Sequence, residues 1–176
     1  MQLKSVNIAL ATLALTTLSI TPAFSQSESG SMEFFCANNR KGIPTTYLRN
    51  ENGEKRAVIR WKSREFEKFG FNPSARCKEV SSRFQTAYNN GSLQYITNGT
   101  MNKKQVICTA NELRGQCVDV LFTLLPKEQN KGELILTQLN KFLNGDSQSV
   151  LVQNSSKNQR YIKIDLPKFI KYSSPE

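Results

Sequence analysis

Four cysteines, Cys36, Cys77, Cys108 and Cys117, all follow an N-terminal stretch built like a secretory leader, and this pairing constrains the fold most. Lys4 supplies a positive start, Ile8 to Ile20 form an apolar run, and Ala23-Phe24-Ser25 sets small residues at the two cleavage-directing positions. The apolar run gives about 20 Å of helix against a hydrocarbon core of roughly 30 Å, so a cleaved leader over residues 1–25 is expected rather than an anchor. Gln26, not cysteine, stands after the cleavage point, which argues against lipid modification. The cysteines are therefore expected to mature in an oxidising compartment, where an even number favours two disulfides. The reading is an export to the periplasm or cell surface, with no transmembrane segment in the mature chain.

Four cysteines allow three connectivities. Cys108 and Cys117 flank a hairpin-length connection containing Gly115, which can bring their Cα atoms into bridging range. Cys77 falls on the inward stripe of a helix and can meet the first strand at Cys36. The favoured pairing is thus Cys36–Cys77 with Cys108–Cys117. A zinc site is the weaker alternative, because the separations of 41, 31 and 9 contain no short C-x-x-C knuckle.

Residues 26–32 read as a flexible lead-in, and 33–176 as a single domain, because no Pro- or Ser-rich linker and no repeat divides them. Asn-Gly pairs punctuate this domain. Asn52-Gly53 and Asn98-Gly99 lie between strand-like runs and are expected to turn hairpins, Thr45–Arg49 with Arg56–Lys62 and Leu93–Thr97 with Gln105–Thr109. Asn90-Gly91 and Asn144-Gly145 end helix-like runs, where glycine suits a left-handed cap. In the second strand Ala57, Ile59 and Trp61 are expected inward, with Arg56, Arg60 and Lys62 outward. Asn72-Pro73 should open a helix, with asparagine as N-cap and proline at N1. Its stripe is Cys77, Val80, Phe84, Ala87 and Tyr88. Val118–Leu125 is apolar on both faces and reads as a central strand under a helix. Leu134–Leu143 reads as a second helix, Val150–Val152 and Tyr161–Ile164 as short strands, and Asp165 as the cap of a turn through Phe169. The fold class expected is α+β: an antiparallel sheet with two main helices packed on one face, braced by two disulfides.

The chain has no histidine, which excludes Ser-His-Asp and Cys-His sites and a zinc bound through imidazole. No Gly-x-Ser-x-Gly elbow, Ser-x-x-Lys signature, dinucleotide fingerprint or P-loop is present. Asp and Glu number fourteen, mostly beside Lys or Arg. Asp119, inside an apolar run, reads as a strand-edge or turn-facing residue before a catalytic acid. No catalytic residue, cofactor or metal is expected.

The formal charge is +10, and between Arg40 and Arg83 twelve Lys/Arg stand against five Glu. Such a bias attracts polyanions, and export turns the expectation from nucleic acid toward an anionic envelope surface. Arg60, Lys62, Arg76 and Arg83 are the candidate anion- or surface-binding residues. Arg76 and Arg83 stand a heptad apart on the first helix, although Arg83 can equally pair with Glu79 four residues back and Arg76 can cover the helix edge. Trp61, the single tryptophan, is the candidate ligand contact, with a core position as its plainer reading.

Several segments between Cys36 and Leu124 carry a resemblance. They are Gly42-Ile43-Pro44-Thr45-Thr46, Val58-Ile59-Arg60-Trp61, the run from Arg76 to Phe84, and Leu93 to Gly99. Val106-Ile107-Cys108, Cys117 and Leu121 to Leu124 complete the pattern. Together they resemble the cyanobacterial circadian-oscillating-protein domain. The resemblance implies a small exported or membrane-peripheral protein with no assigned enzymatic activity, and no catalytic residues carry over. Its Pro-Thr-Thr and Arg-Cys-x-x-Val-Ser-x-Arg-Phe segments can serve fold as readily as function. The expected role is a non-catalytic domain that binds an unidentified protein or an anionic envelope surface, with peripheral membrane association. The alternative is a secreted hydrolase or an inhibitor-like protein.

Overall fold

The first helix, α1 (Pro73–Asn89), begins where the chain supplies a side-chain acceptor and a residue without an amide hydrogen. Asn72 accepts from the Ala75 amide at 2.8 Å, and Pro73 follows at N1, where its missing N–H costs nothing. These details come from a computed structural model that describes residues 30–124, 131–144 and 160–172. Cys77, Val80, Ser81, Phe84 and Ala87 are the buried stripe of α1, with Tyr88 half-buried beside them. Gly91 closes the helix at φ 75°, the left-handed value expected of it.

Strands β1 (Glu33–Asn38), β2 (Pro44–Arg49) and β3 (Lys55–Arg60) form one antiparallel sheet in that order. A second holds β4 (Tyr95–Met101), β5 (Lys104–Ala110), β6 (Val120–Thr123) and β7 (Tyr161–Lys163), in the order β6-β5-β4-β7. The α+β class and both disulfides stand, and the strands divide between two sheets. Helix α1 packs on β1 and β2 and reaches β6. Helices α2 (Gly132–Asn144) and α3 (Leu166–Tyr172) pack on each other, and α2 lies on β4 and β5. One core joins them, with Phe84, Leu48, Ile96, Ile107, Leu136 and Phe169 almost wholly buried. Burying a residue such as Phe84 contributes about 1.5–3 kcal/mol.

The strands depart from the sequence reading in three places. In β3 the register slips by one: Thr46 faces Ile59 while Tyr47 faces Ala57, leaving Val58 as the extra residue of a bulge. The bulge resets the alternation, so Val58 and Trp61 both reach the core, Arg56 is buried, and Ala57 and Ile59 are half-buried. In the second hairpin the turn is Asn102-Lys103, both at positive φ (50° and 60°), and not Asn98-Gly99. Gly99 stays in β4 opposite Val106, and a Cβ there would run into the Cys117 sulfur. Glycine serves here as space for a disulfide, not as a turn. Finally, β6 is an edge strand and not a central one. It is apolar because Leu121 is buried in the core and the Phe122 ring meets Trp61 edge-on, with centroids 6.0 Å apart.

The C-terminal expectations hold where they fall on described residues. The second helix runs Gly132–Asn144, Tyr161–Lys163 pairs with β4, and Asp165 Oδ1 accepts from the Lys168 amide at 2.9 Å, capping a helix that continues to Tyr172. Gly145 and the strand expected at Val150–Val152 lie outside the described residues.

Both disulfides join the expected partners, Cys36 with Cys77 and Cys108 with Cys117. The first ties β1 to α1 across 41 residues, and the second closes a loop of 9 on β5. No cysteine is left as a thiol. Among the described residues no helix is long and apolar enough to cross a membrane.

Candidate functional site

A groove of about 560 Å³ opens between α1, the segment before it, β6 and the tip of the β4–β5 hairpin. Its floor is apolar, with Val80 from α1 and Phe122 and Leu124 from the β6 end, all buried. One wall is a cluster of phenylalanines, Phe66, Phe69 and Phe71, carried on a single 3-10 turn at Glu67–Phe69. Gly70 at φ 85° reverses the chain, and the Phe71 amide donates back to the Phe66 carbonyl, so all three rings are presented within one tight bend. Phe69 is 56% exposed and Phe71 45%, which is unusual for rings set side by side on a folded surface.

The rim is basic. Arg76 and Arg83 come from α1, and Lys103 and Lys104 from the hairpin tip. The Arg76 guanidinium lies between two rings, 4.6 Å from the centroid of Trp61 and 4.0 Å from that of Phe66. Cation–π attraction of this kind contributes about 0.5–2 kcal/mol and fixes the side chain in place. Arg83 donates to Glu79 and, at 3.3 Å, to the Leu121 carbonyl, joining α1 to β6. Lys103 and Lys104 are exposed at the point where the hairpin turns.

A second cleft of about 520 Å³ lies beyond Trp61, lined by Ile43, Pro44, Lys62, Arg64, Glu67 and Asn72 among others. Each cleft carries one carboxylate, and each is paired: Glu79 with Arg83 in the first, Glu67 with Arg64 at 3.2 Å in the second. Two carboxylates facing one cavity, the arrangement most glycoside hydrolysis uses, are not brought together at either. Asp119 does not face them. It accepts from Ser92 at 2.7 Å, and its amide donates to Thr109 Oγ1, which makes it a clasp between the exit of α1 and the start of β6.

The sequence-derived candidates are thus partly assembled. Arg76 and Arg83 share the first groove, Lys62 lines the second cleft, and Arg60 is exposed at the end of β3 and lines neither. Trp61 is only 6% exposed, a core position, and its remaining edge lines the second cleft. Its indole N–H donates to Thr46 Oγ1 at 3.0 Å, and Ser81 donates to the same oxygen at 3.0 Å.

Residues 33–171 match the family model described as circadian oscillating protein COP23. The chain belongs to that family. The match extends past Leu124, where the resemblance of individual segments fades, and takes in α2, β7 and α3. Comparisons with curated proteins and with solved structures give no match. Within this member of the COP23 family the motif segments have visible structural duties. Thr46 of Pro-Thr-Thr receives Trp61 and Ser81, Cys77 bonds Cys36, and Phe84 packs on Phe34 at 5.1 Å between centroids. Of the Arg-Cys-x-x-Val-Ser-x-Arg-Phe motif, Arg76, Val80 and Arg83 also line the groove.

Sequence reasoning missed Phe66, Phe69, Phe71, Lys103 and Lys104. A signal for the first three existed in Phe-x-x-Phe-x-Phe, a spacing that fits neither a helix nor a strand. The lysines were hidden by assigning the hairpin turn to Asn98-Gly99.

Burial pushes the Tyr161 phenol above its ordinary value of 10.0, while a hydrogen bond with Thr97 works the other way. Its hydroxyl donates to the Gly115 carbonyl at 2.8 Å, tying β7 to the loop closed by the second disulfide.

Proposed function

We propose that this chain, with residues 1–25 removed as a leader, is a non-catalytic exported domain that docks on an anionic envelope surface through the phenylalanine groove. The observation that carries this reading is the meeting of two exposed rings, Phe69 and Phe71, with four cationic side chains on one rim. Aromatic rings settle at the headgroup level of a bilayer, and each Lys or Arg near an anionic surface contributes about 1 kcal/mol. That attraction decays over a Debye length of about 8 Å at physiological salt, so the contact is weak, peripheral and salt-sensitive. Two disulfides support the exported setting, because such bonds persist in oxidising compartments. The hydrolase alternative draws no support from either cleft, where the one carboxylate is held by an arginine.

Fractionation of the native envelope tests this directly. A wash at high salt or alkaline pH is expected to release the protein without detergent. Extraction by detergent alone would overturn the reading, since it would mean a retained anchor or a tight protein partner.

A further inference from the structure

We infer that the groove between α1, the Phe66–Phe71 bend and the β4–β5 hairpin holds one monomeric single-chain lipid anion, its alkyl chain on the phenylalanine wall and its head on the basic rim. This deepens the surface-docking reading of the same groove and rests on it.

The site calls for one molecule with two chemistries. The floor and wall are apolar and, at Phe69 and Phe71, exposed to water, so a ligand without an apolar body leaves them uncovered. The rim carries four cations against one carboxylate, and that carboxylate already pairs with Arg83, so the complementary head is an anion. A neutral sugar meets the wrong floor, and a free phosphate ignores it. The volume of about 560 Å³ falls within the roughly 300–1,000 Å³ of small-molecule sites, which suits one chain better than a diacyl lipid or a protein element. Much of the framework is fixed before any ligand arrives. Arg76 is clamped between Trp61 and Phe66, Arg83 is tied to Glu79 and Leu121, and the Gly70 and Phe71 amides donate back to the Glu67 and Phe66 carbonyls across the bend. Lys103 and Lys104 are the cations at the open end, where the head would sit. Preorganisation of this kind lowers the ordering cost of binding.

Trp61 gives the readout, because it is the single tryptophan and touches both Arg76 and Phe122 at the edge of the groove. The oxidised chain without its leader is titrated with dodecyl phosphate below its micellar concentration, following tryptophan emission and, in parallel, calorimetry. The expected result is saturable one-to-one binding, with inorganic phosphate and dodecyl maltoside each at least tenfold weaker. Phe69→Ser with Phe71→Ser, and separately Lys103→Glu with Lys104→Glu, should each weaken binding at least tenfold without lowering the melting temperature, since all four side chains are exposed. Equal binding of the neutral detergent, equal binding of inorganic phosphate, or unchanged affinity in both variants would overturn the inference. Vesicle binding measured beside it separates the two claims. Vesicles bound but dodecyl phosphate ignored removes the lipid-anion site and leaves surface docking. Dodecyl phosphate bound but anionic vesicles ignored keeps the site and removes surface docking.

Discussion

Gly99 shows how a single residue can be legible in kind and misread in role. Asn98-Gly99 between two apolar runs has the chemistry of a hairpin turn, yet the strand runs on to Met101, and glycine is required at 99 because the Cys117 sulfur occupies the space a Cβ would take. Gly99→Ala should therefore destabilise by about 1–3 kcal/mol, the usual cost of overpacking, although alanine suits an extended backbone. Urea unfolding of the oxidised protein checks this, and an unchanged midpoint would show that the neighbouring disulfide yields. Thr46 was legible only as part of a motif. That it accepts from both Trp61 and Ser81 depends on residues 15 and 35 positions away, which no local pattern reports. Tyr161 adds a pH dependence. Its folded pKa lies above the unfolded value of 10.0, so its contribution is fully present below about pH 10 and is lost as pH rises through the folded value. Stability measured between pH 8 and 11.5 should fall at the alkaline end, and Tyr161→Phe should make that fall shallower. Equal slopes would remove Tyr161 as the cause.

Among the elements, those with a local signal were read well. Helix α1 announces itself through Asn72-Pro73 and a stripe at helical spacing, and the first hairpin through Asn52-Gly53. What escaped were features set by neighbours: the bulge at Val58, the division into two sheets, and the edge position of β6. An edge strand buried on both faces looks like a central one in sequence, because apolar patterning records burial and not hydrogen-bond partners. The disulfides were legible because spacing and helix phase together limit which cysteines can meet. They are not equivalent. Chain-entropy estimates give about 4 kcal/mol for the Cys36–Cys77 loop and about 2.5 kcal/mol for the Cys108–Cys117 loop. Burial does not separate them, since Cys77 on the inner face of α1 and Cys108 on β5 are both wholly buried, so loop length sets the order and replacing the first pair by alanine should cost more than replacing the second. Thermal unfolding of the two double variants ranks them, and the reverse order would show that the β5 loop, not the joint between β1 and α1, holds the fold.

At the scale of the whole molecule, the excess of charge in the first half was visible in sequence, but its arrangement was not. Folding brings Arg76 and Arg83 to a rim with Lys103 and Lys104 from a distant hairpin, and leaves Arg60 outside it. It also makes Arg76 and Arg83 poor probes of binding, since Arg76 packs on Trp61 and Arg83 bridges α1 to β6. Reversing them would disturb the fold together with the surface. Lys103 and Lys104 are exposed, so Lys103→Glu with Lys104→Glu isolates charge from stability. The measurement that tests the central claim is co-sedimentation of the oxidised chain with vesicles of phosphatidylglycerol and phosphatidylcholine, against vesicles of phosphatidylcholine alone. Binding is expected only to the anionic vesicles, falling steeply with added salt and dropping at least about tenfold in the double lysine variant, as about 1 kcal/mol per cation requires. Equal recovery on neutral vesicles, or recovery indifferent to salt and to both lysines, would contradict the account.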